Sequence, residues 1–377
     1  MRILFTGGGT GGHFYPILAV ASELNALIKE KRLLEAELYY MAPTPYNPGL
    51  LFENNLIFRK ISAGKVRRYF SFHNFFDIFK TGFGILSAVK QVYSLYPDVV
   101  FGKGGYVSFP VLFAAKLLRI PVVIHESDTV PGRVNVWAGK FAVRIAISYP
   151  EAAKYFPEDK VALTGNPVRK DIQAPITEGA SDYFGLEAGI PTVLILGGSQ
   201  GASLINDAVI EGLSKLVEKF QVIHQAGPNN ITEVKHTAEA VLFESRYKSR
   251  YKPYDYLNGI ALRMAAGAAD VVVSRAGSSL FEIATWKVPA IIIPITDSNG
   301  DHQRQNAFAF ASAGAGQVIE EKNLTPNILA SEIERLVTNK EAAEKMKEAQ
   351  AKFYRPDAAK KIAEELLKIA LSHEIEK

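Results

Sequence analysis

The sequence predicts an α/β protein made of two doubly wound parallel-sheet domains, and three observations carry that prediction. The chain has 377 residues, too many for one ordinary core and suited to two domains of about 180. Its apolar runs are short and continuous rather than alternating, the pattern of strands covered on both faces of a parallel sheet. The succession of strand, glycine-rich loop and helix occurs twice, once at the N-terminus and again after Pro191.

Taken in order, Arg2–Thr6 is a short apolar strand, and Phe14–Glu30 reads as its helix, with Ile17, Leu18, Ala21, Leu24, Ala26 and Leu27 near helical spacing. Further strands are expected at Glu37–Met41, Ile57–Ile61, Asp98–Phe101, Val122–His125, Arg144–Ser148 and Lys160–Thr164. The first domain is expected to span 1–165, ending near Gly165-Asn166-Pro167. The rhythm restarts with Thr192–Leu196, a helix near Ala202–Glu218, and strands at Phe220–His224, Asp270–Ser274 and Ala290–Pro294, giving a second domain over 166–356. A last helix, about Asp357–Ser372, follows Arg355-Pro356, and the segment 357–377 is expected to return to the first domain. The repeat is one of architecture, not of residues.

Composition narrows the chemistry. The chain has no cysteine, which excludes disulfides, thiolate metal sites and cysteine nucleophiles. A formal net charge of +4 is too small to argue for nucleic acid, so the position of the positive charge matters more than its sum. No apolar run reaches bilayer-spanning length. The N-terminus enters a strand and a glycine loop without the features of a signal peptide, so a cytoplasmic chain is expected. There is no D-x-D pair, so neither a metal-bridged diphosphate nor any cofactor is expected.

Gly7, Gly9 and Gly12 fit G-x-G-x-x-G, and a helix N-terminus follows, an arrangement that admits a phosphate close to the backbone. An NAD-dependent dehydrogenase would need an acid at the end of the second strand for the ribose. That strand ends in Tyr40-Met41-Ala42-Pro43, and the second half carries its own loop, Gly197-Gly198-Ser199-Gln200-Gly201, which a single dinucleotide site would not need.

Seven motifs then occur in order: Gly8-Gly9-Thr10-Gly11-Gly12-His13; Gly104-Gly105-Tyr106-Val107-Ser108; His125-Glu126; Thr164-Gly165-Asn166-Pro167-Val168-Arg169; Gly197-Gly198-Ser199-Gln200-Gly201-Ala202; Ser274-Arg275-Ala276-Gly277 with Glu282; and His302-Gln303 with Asn306. Together they resemble the MurG family, the UDP-N-acetylglucosamine:lipid I transferases of peptidoglycan synthesis. The resemblance implies a GT-B fold, two Rossmann-like domains facing across a cleft, and transfer of N-acetylglucosamine from UDP-GlcNAc to undecaprenyl-diphospho-MurNAc-pentapeptide with inversion. Two alternatives are a related enzyme that glycosylates another lipid, such as diacylglycerol, and a non-catalytic UDP-sugar sensor.

The resemblance also distributes roles. Glu282 would accept both ribose hydroxyls, and Ser199 and Gln200 would meet the donor diphosphate. Arg169 would add charge-assisted hydrogen bonds to uridine or phosphate. Gln303 would contact sugar hydroxyls with Asn306 behind it, and Gly259 or Ile260 falls where backbone meets uracil. Thr10, Gly11, Gly12 and Asp128 are counted among the donor contacts, Asp128 standing where the family often has asparagine. Gly9, Gly104, Gly105 and Tyr106 would form the acceptor diphosphate site. An inverting transfer needs a base, and His13 suits that role near neutral pH; Glu126 is the other candidate.

Between Lys65 and Leu86, Tyr69, Phe70, Phe72, Phe75, Phe76, Phe79 and Phe83 interleave with Lys65, Arg67, Arg68 and Lys80. That composition predicts an interfacial segment on an anionic inner-leaflet surface and a peripheral protein on the cytoplasmic side of the cell membrane. One buried aromatic contributes roughly 1.5–3 kcal/mol, and one cation near such a surface about 1 kcal/mol, enough for reversible docking.

Overall fold

The structure is a computed structural model and describes residues 1–33, 35–63, 72–198, 201–296 and 298–375, with backbone alone for 72–81, 299 and 373–375. It forms two compact units, Met1–Arg169 with Arg355–Lys377, and Lys170–Tyr354. The chain thus passes from one unit to the other after Arg169 and after Tyr354.

The first unit holds a seven-stranded, all-parallel sheet: β1 (Arg2–Thr6), β2 (Glu37–Ala42), β3 (Leu56–Lys60), β4 (Val99–Gly102), β5 (Val122–Glu126), β6 (Arg144–Ile147) and β7 (Val161–Leu163). Their spatial order is β3-β2-β1-β4-β5-β6-β7, so the direction of winding reverses between β1 and β4. Side chains on one sheet face pack with the helix Gly11–Glu30 and with the last helix, Ala358–Ile375: Ile3, Phe5, Ile17, Leu24, Ile362 and Leu366 share one buried cluster. The other face packs Leu4, Val100, Ile124 and Ile145 with Ala88, Val92 and Val111. Continuous apolar strands are the consequence of this two-sided burial.

The second unit repeats the plan with six parallel strands: β8 (Thr192–Leu196), β9 (Gln221–Gln225), β10 (Tyr251–Tyr254), β11 (Val271–Ser274), β12 (Ala290–Ile292) and β13 (Gln317–Val318). The order is β10-β9-β8-β11-β12-β13, with the reversal between β8 and β11. Sequence reasoning missed β10 and β13. Pro253 lies within β10, and proline in a strand is tolerated at an edge, where β10 sits. The two residues of β13 are too few to show a period.

The helix expected over Ala202–Glu218 is two helices, Ser203–Glu211 and Leu213–Lys219. They part at Gly212, where a Cβ would lie 3.1 Å from the Pro326 Cβ. No helix of the described residues is long and apolar enough to cross a membrane.

Candidate active site

In doubly wound sheets, ligands bind beyond the carboxyl ends of the strands where the winding reverses. In the first unit that place is built by the loops after β1 and β4. The β1 loop runs from Gly7 to Thr10, and Thr10 is the extended residue before the helix that begins at Gly11. Tyr40, the fully buried side chain near the end of β2, donates its hydroxyl to the Gly7 carbonyl at 2.6 Å. A tyrosine that ties down the loop thus occupies the strand end where a dinucleotide enzyme keeps its ribose acid.

The two glycine segments meet. The β4 loop, Gly104-Gly105, has both residues at positive φ, 90° and 76°. A Cβ on Gly105 would sit 3.5 Å from His13 Nε2, and one on Gly9 would sit 3.5 Å from the Tyr106 ring. Ser108 fixes the turn by donating its hydroxyl to the Gly104 carbonyl at 2.7 Å. His13 lies in the first helical turn with Nδ1 2.9 Å from Thr10 Oγ1. For Nε2 to take a proton, Nδ1 must carry the hydrogen and donate it to Thr10 Oγ1. Thr10 Oγ1 is placed to accept that hydrogen.

The carboxyl end of β5 supplies His125 and Glu126, and the two differ from any exposed acid–base pair. His125 is fully buried, with Nε2 3.0 Å from the Gly165 carbonyl, and burial pushes its pKa well below the usual value. Glu126 is 4% exposed. Its Oε1 accepts the Asp128 N–H at 3.0 Å; Oε2 accepts the Gly132 N–H at 3.1 Å and Asn135 Nδ2 at 2.9 Å. Burial and the neighbouring Asp128 carboxylate push Glu126 up to about 7, against the pull of Lys103. Both oxygens are committed to backbone and amide donors, which gives Glu126 the work of holding the 126–135 loop. Asp128 is half-buried in that loop. Arg169 is half-buried in this same unit, its guanidinium 4.5 Å from the centre of the Tyr15 ring.

In the second unit the corresponding place lies beyond β8 and β11. Gly197 and Gly198 follow β8, and Gly201 precedes the helix Ser203–Glu211. Ser199 and Gln200 lie outside the described residues, as do the side chains of Phe72, Phe75, Phe76, Phe79 and Lys80. Gly201 has φ +84°, and a Cβ there would come within 2.4 Å of the Ala226 carbonyl oxygen. Gln225, at the end of β9, donates to the Gly198 carbonyl at 3.1 Å and accepts the Leu257 N–H at 3.0 Å. It joins the glycine loop to the segment before the helix Gly259–Ala268, where Ile260 is exposed in the first turn.

Beyond β11, Glu282 is half-buried in the first turn of the helix Ser279–Trp286. Asn306 is buried and donates to the Ala276 carbonyl at 3.1 Å, and Gln303 Oε1 accepts the Ile295 N–H at 3.3 Å. Arg275 pairs with Glu321 at 2.6 Å, both nearly buried, and also donates to the Ile293 carbonyl at 3.1 Å. Burial lowers the Arg275 pKa against the pull of Glu321. Every expected second-unit residue in the described set thus falls at the carboxyl edge of the sheet, as do those of the first unit.

Two family models cover most of the chain: the glycosyltransferase family 28 N-terminal domain over residues 3–147 and its C-terminal domain over 192–362. Curated relatives agree. A protein of Halothermothrix orenii named UDP-N-acetylglucosamine--N-acetylmuramyl-(pentapeptide) pyrophosphoryl-undecaprenol N-acetylglucosamine transferase is 37% identical over 363 residues, 94% of this chain and 95% of the relative. One of Bacillus thuringiensis with the same name, numbered 3, is 36% identical, covering 90% and 93%. The chain belongs to the MurG family. The crystal structure of Acinetobacter baumannii MurG matches at a TM-score of 0.71 and 25% identity, over 97% of this chain and 99% of that one. A UDP-GlcNAc 2-epimerase from Neisseria meningitidis, solved bound to UDP-GlcNAc, matches at 0.68 and 17% identity over 98% and 100%, which speaks for the fold alone. The chain has the GT-B fold of the MurG family, each of its two units a parallel doubly wound sheet.

Sequence reasoning did not assign site roles to Tyr40, Lys103, Asn135 and Gln225. Tyr40 and Gln225 stand at strand ends beside the glycine loops, a positional signal that was present. Nothing in the spacing announced that Asn135, nine residues on, would turn back to Glu126.

Proposed function

We propose that this protein transfers N-acetylglucosamine from UDP-GlcNAc to lipid I, giving lipid II with inversion, as a hexosyltransferase of peptidoglycan synthesis. The observation that carries the reading is the similarity, over nine-tenths of the chain or more, to curated relatives bearing that transferase name. The acceptor sugar's hydroxyl oxygen attacks the anomeric carbon of N-acetylglucosamine. The bond from that carbon to the diphosphate oxygen breaks, and UDP leaves.

His13 Nε2 takes the hydroxyl proton, with Thr10 holding Nδ1–H. Gly9, Gly104, Gly105 and Tyr106 receive the acceptor diphosphate, whose charge suits the positive end of the helix that His13 opens. Glu126 positions that end of the sheet rather than moving the proton. In the second unit, Glu282 holds the ribose, the backbone before Ile260 meets the uracil, and Gln303 with Asn306 meets the sugar. The diphosphate lies on the 197–201 loop with Ser199 and Gln200, at the N-terminus of the helix Ser203–Glu211. Arg169, Thr10, Gly11, Gly12 and Asp128 complete the donor contacts.

The protein works as a peripheral enzyme on the cytoplasmic face of the membrane. Support comes from the aromatic and basic composition of 65–80 and from Phe83 and Leu86, about 70% exposed in the described part of the helix Phe72–Leu95. The testing experiment follows labelled N-acetylglucosamine from its UDP donor into a lipid I analogue. Transfer with inversion is expected; transfer to diacylglycerol with none to the lipid I analogue would overturn the reading.

A further inference from the structure

Among the described residues, Lys103 is the one lysine in the set of largest fully buried side chains, and no step of the transfer uses it. It follows β4, directly before the Gly104-Gly105 turn, and its backbone N–H pairs with the Thr6 carbonyl at 2.9 Å. Its Cβ packs where a Cβ on Gly7 would stand, only 2.8 Å away, so the stem fills the space between the two glycine loops. The ammonium donates to Ser127 Oγ, and Ser127 Oγ donates to Asn166 Oδ1 at 2.7 Å. One chain of contacts therefore joins the carboxyl ends of β4 and β5 to the loop that follows β7.

The charges around the ammonium are ordered. Among the described residues, the titratable groups that face it are Glu126 and Asp128, which favour its charge, and His125, whose protonation it opposes. A buried cation costs several kcal/mol in desolvation unless it is compensated. Here the Glu126 and Asp128 carboxylates supply the compensation. Burial takes Lys103 down to about 8.

We infer that Lys103 is a positioning residue for the acceptor end of the first unit: through Ser127 and Asn166 its ammonium holds the His125–Asp128 turn, and with it the Glu126 carboxylate whose three N–H partners shape the 126–135 loop. The inference rests on the transferase reading for the word acceptor, but its chemistry does not. With Lys103 neutral or absent, Asp128 alone faces Glu126, the Glu126 pKa rises, and a protonated carboxyl gives up acceptor capacity to the loop amides.

Difference infrared spectroscopy of the full-length protein, with a Glu126→Gln control to identify the band, reads the protonation of Glu126 across pH without any substrate. In Lys103→Met the midpoint is expected to rise on the order of one pH unit, and Lys103→Arg is expected to restore it. An unmoved midpoint in a folded Lys103→Met protein, or an Arg variant that fails to restore it, overturns the inference and leaves the transferase reading untouched. Should Lys103→Met not fold, Ser127→Ala keeps the ammonium and cuts the link. It is expected to raise the acceptor KM about tenfold with kcat within a factor of two, and an unchanged KM overturns the inference.

Discussion

Acidification should destabilise the second unit through one histidine. His224, on β9 beside the edge strand of that unit's sheet, is fully buried, with Nε2 3.0 Å from Asn206 Oδ1 and Nδ1 2.8 Å from the Tyr251 hydroxyl. Burial takes it from 6.5 down to about 3. In the unfolded chain it protonates near its ordinary value; in the folded protein it stays neutral, so between those pH values the unfolded state binds the extra proton. The stability tied to neutral His224 is complete above about pH 6.5 and is lost as pH falls toward about 3.

Each pH unit in that window amounts to about 1.4 kcal/mol. The loss between pH 7.5 and 5 is therefore about 2 kcal/mol, a large part of an ordinary domain's margin. The chain has two tryptophans, Trp137 in the first unit and Trp286 in the second, so Trp137→Phe leaves the nearly buried Trp286 as a fluorescence reporter of the second unit. Urea unfolding of that variant at pH 7.5, 6 and 5 should show the decline, and adding His224→Gln should remove about 2 kcal/mol of it. An equal decline with and without the histidine would refute the reasoning.

Three further outcomes are expected. Gly201→Ala should cost at least about 1–2 kcal/mol for its left-handed φ and displace the loop from the Ala226 carbonyl, lowering UDP-GlcNAc affinity more than tenfold by calorimetry. Gly198→Ala, with φ +76° but nothing within 4 Å among the described residues, should lose markedly less, and equal losses would count against the steric argument. Glu282→Ala should remove hydrogen bonds to a charged acceptor, about 1.5–3 kcal/mol, so titration should find a dissociation constant roughly ten- to a hundredfold weaker; unchanged affinity ends the ribose role. His13→Ala should lower kcat by about 10²–10⁴ with donor affinity within a factor of three, and unchanged turnover would remove it as the base.

The strands at the centre of both sheets were legible because two-sided burial writes itself as an unbroken apolar run: Arg2–Thr6 and Thr192–Leu196 match their predicted bounds to the residue. Elements at the margin were not, since β10 holds a proline and β13 has two residues. The helix over 202–218 read as one because periodicity is indifferent to the glycine that lets Pro326 approach. The glycine loops were legible for a different reason. Positive φ at Gly9, Gly104, Gly105, Gly198 and Gly201 is a backbone requirement that only one residue type meets freely.

What the sequence concealed is the state of the charged groups, because that depends on partners brought from elsewhere in the fold. Glu126 looks like any acid in a site motif, and three N–H donors from positions 128, 132 and 135 turn it into an anchor. Asp128, read alone, is one more acid beside the His125-Glu126 motif. Lys103, twenty-four residues before Ser127 in sequence and in contact with it in the fold, supplies the opposite charge. The charge at 128 thus has an opposite charge near it inside the protein. The surroundings of His13 likewise come from elsewhere: Thr10 Oγ1 lies 2.9 Å from Nδ1, and Gly105 lacks the Cβ that would stand 3.5 Å from Nε2.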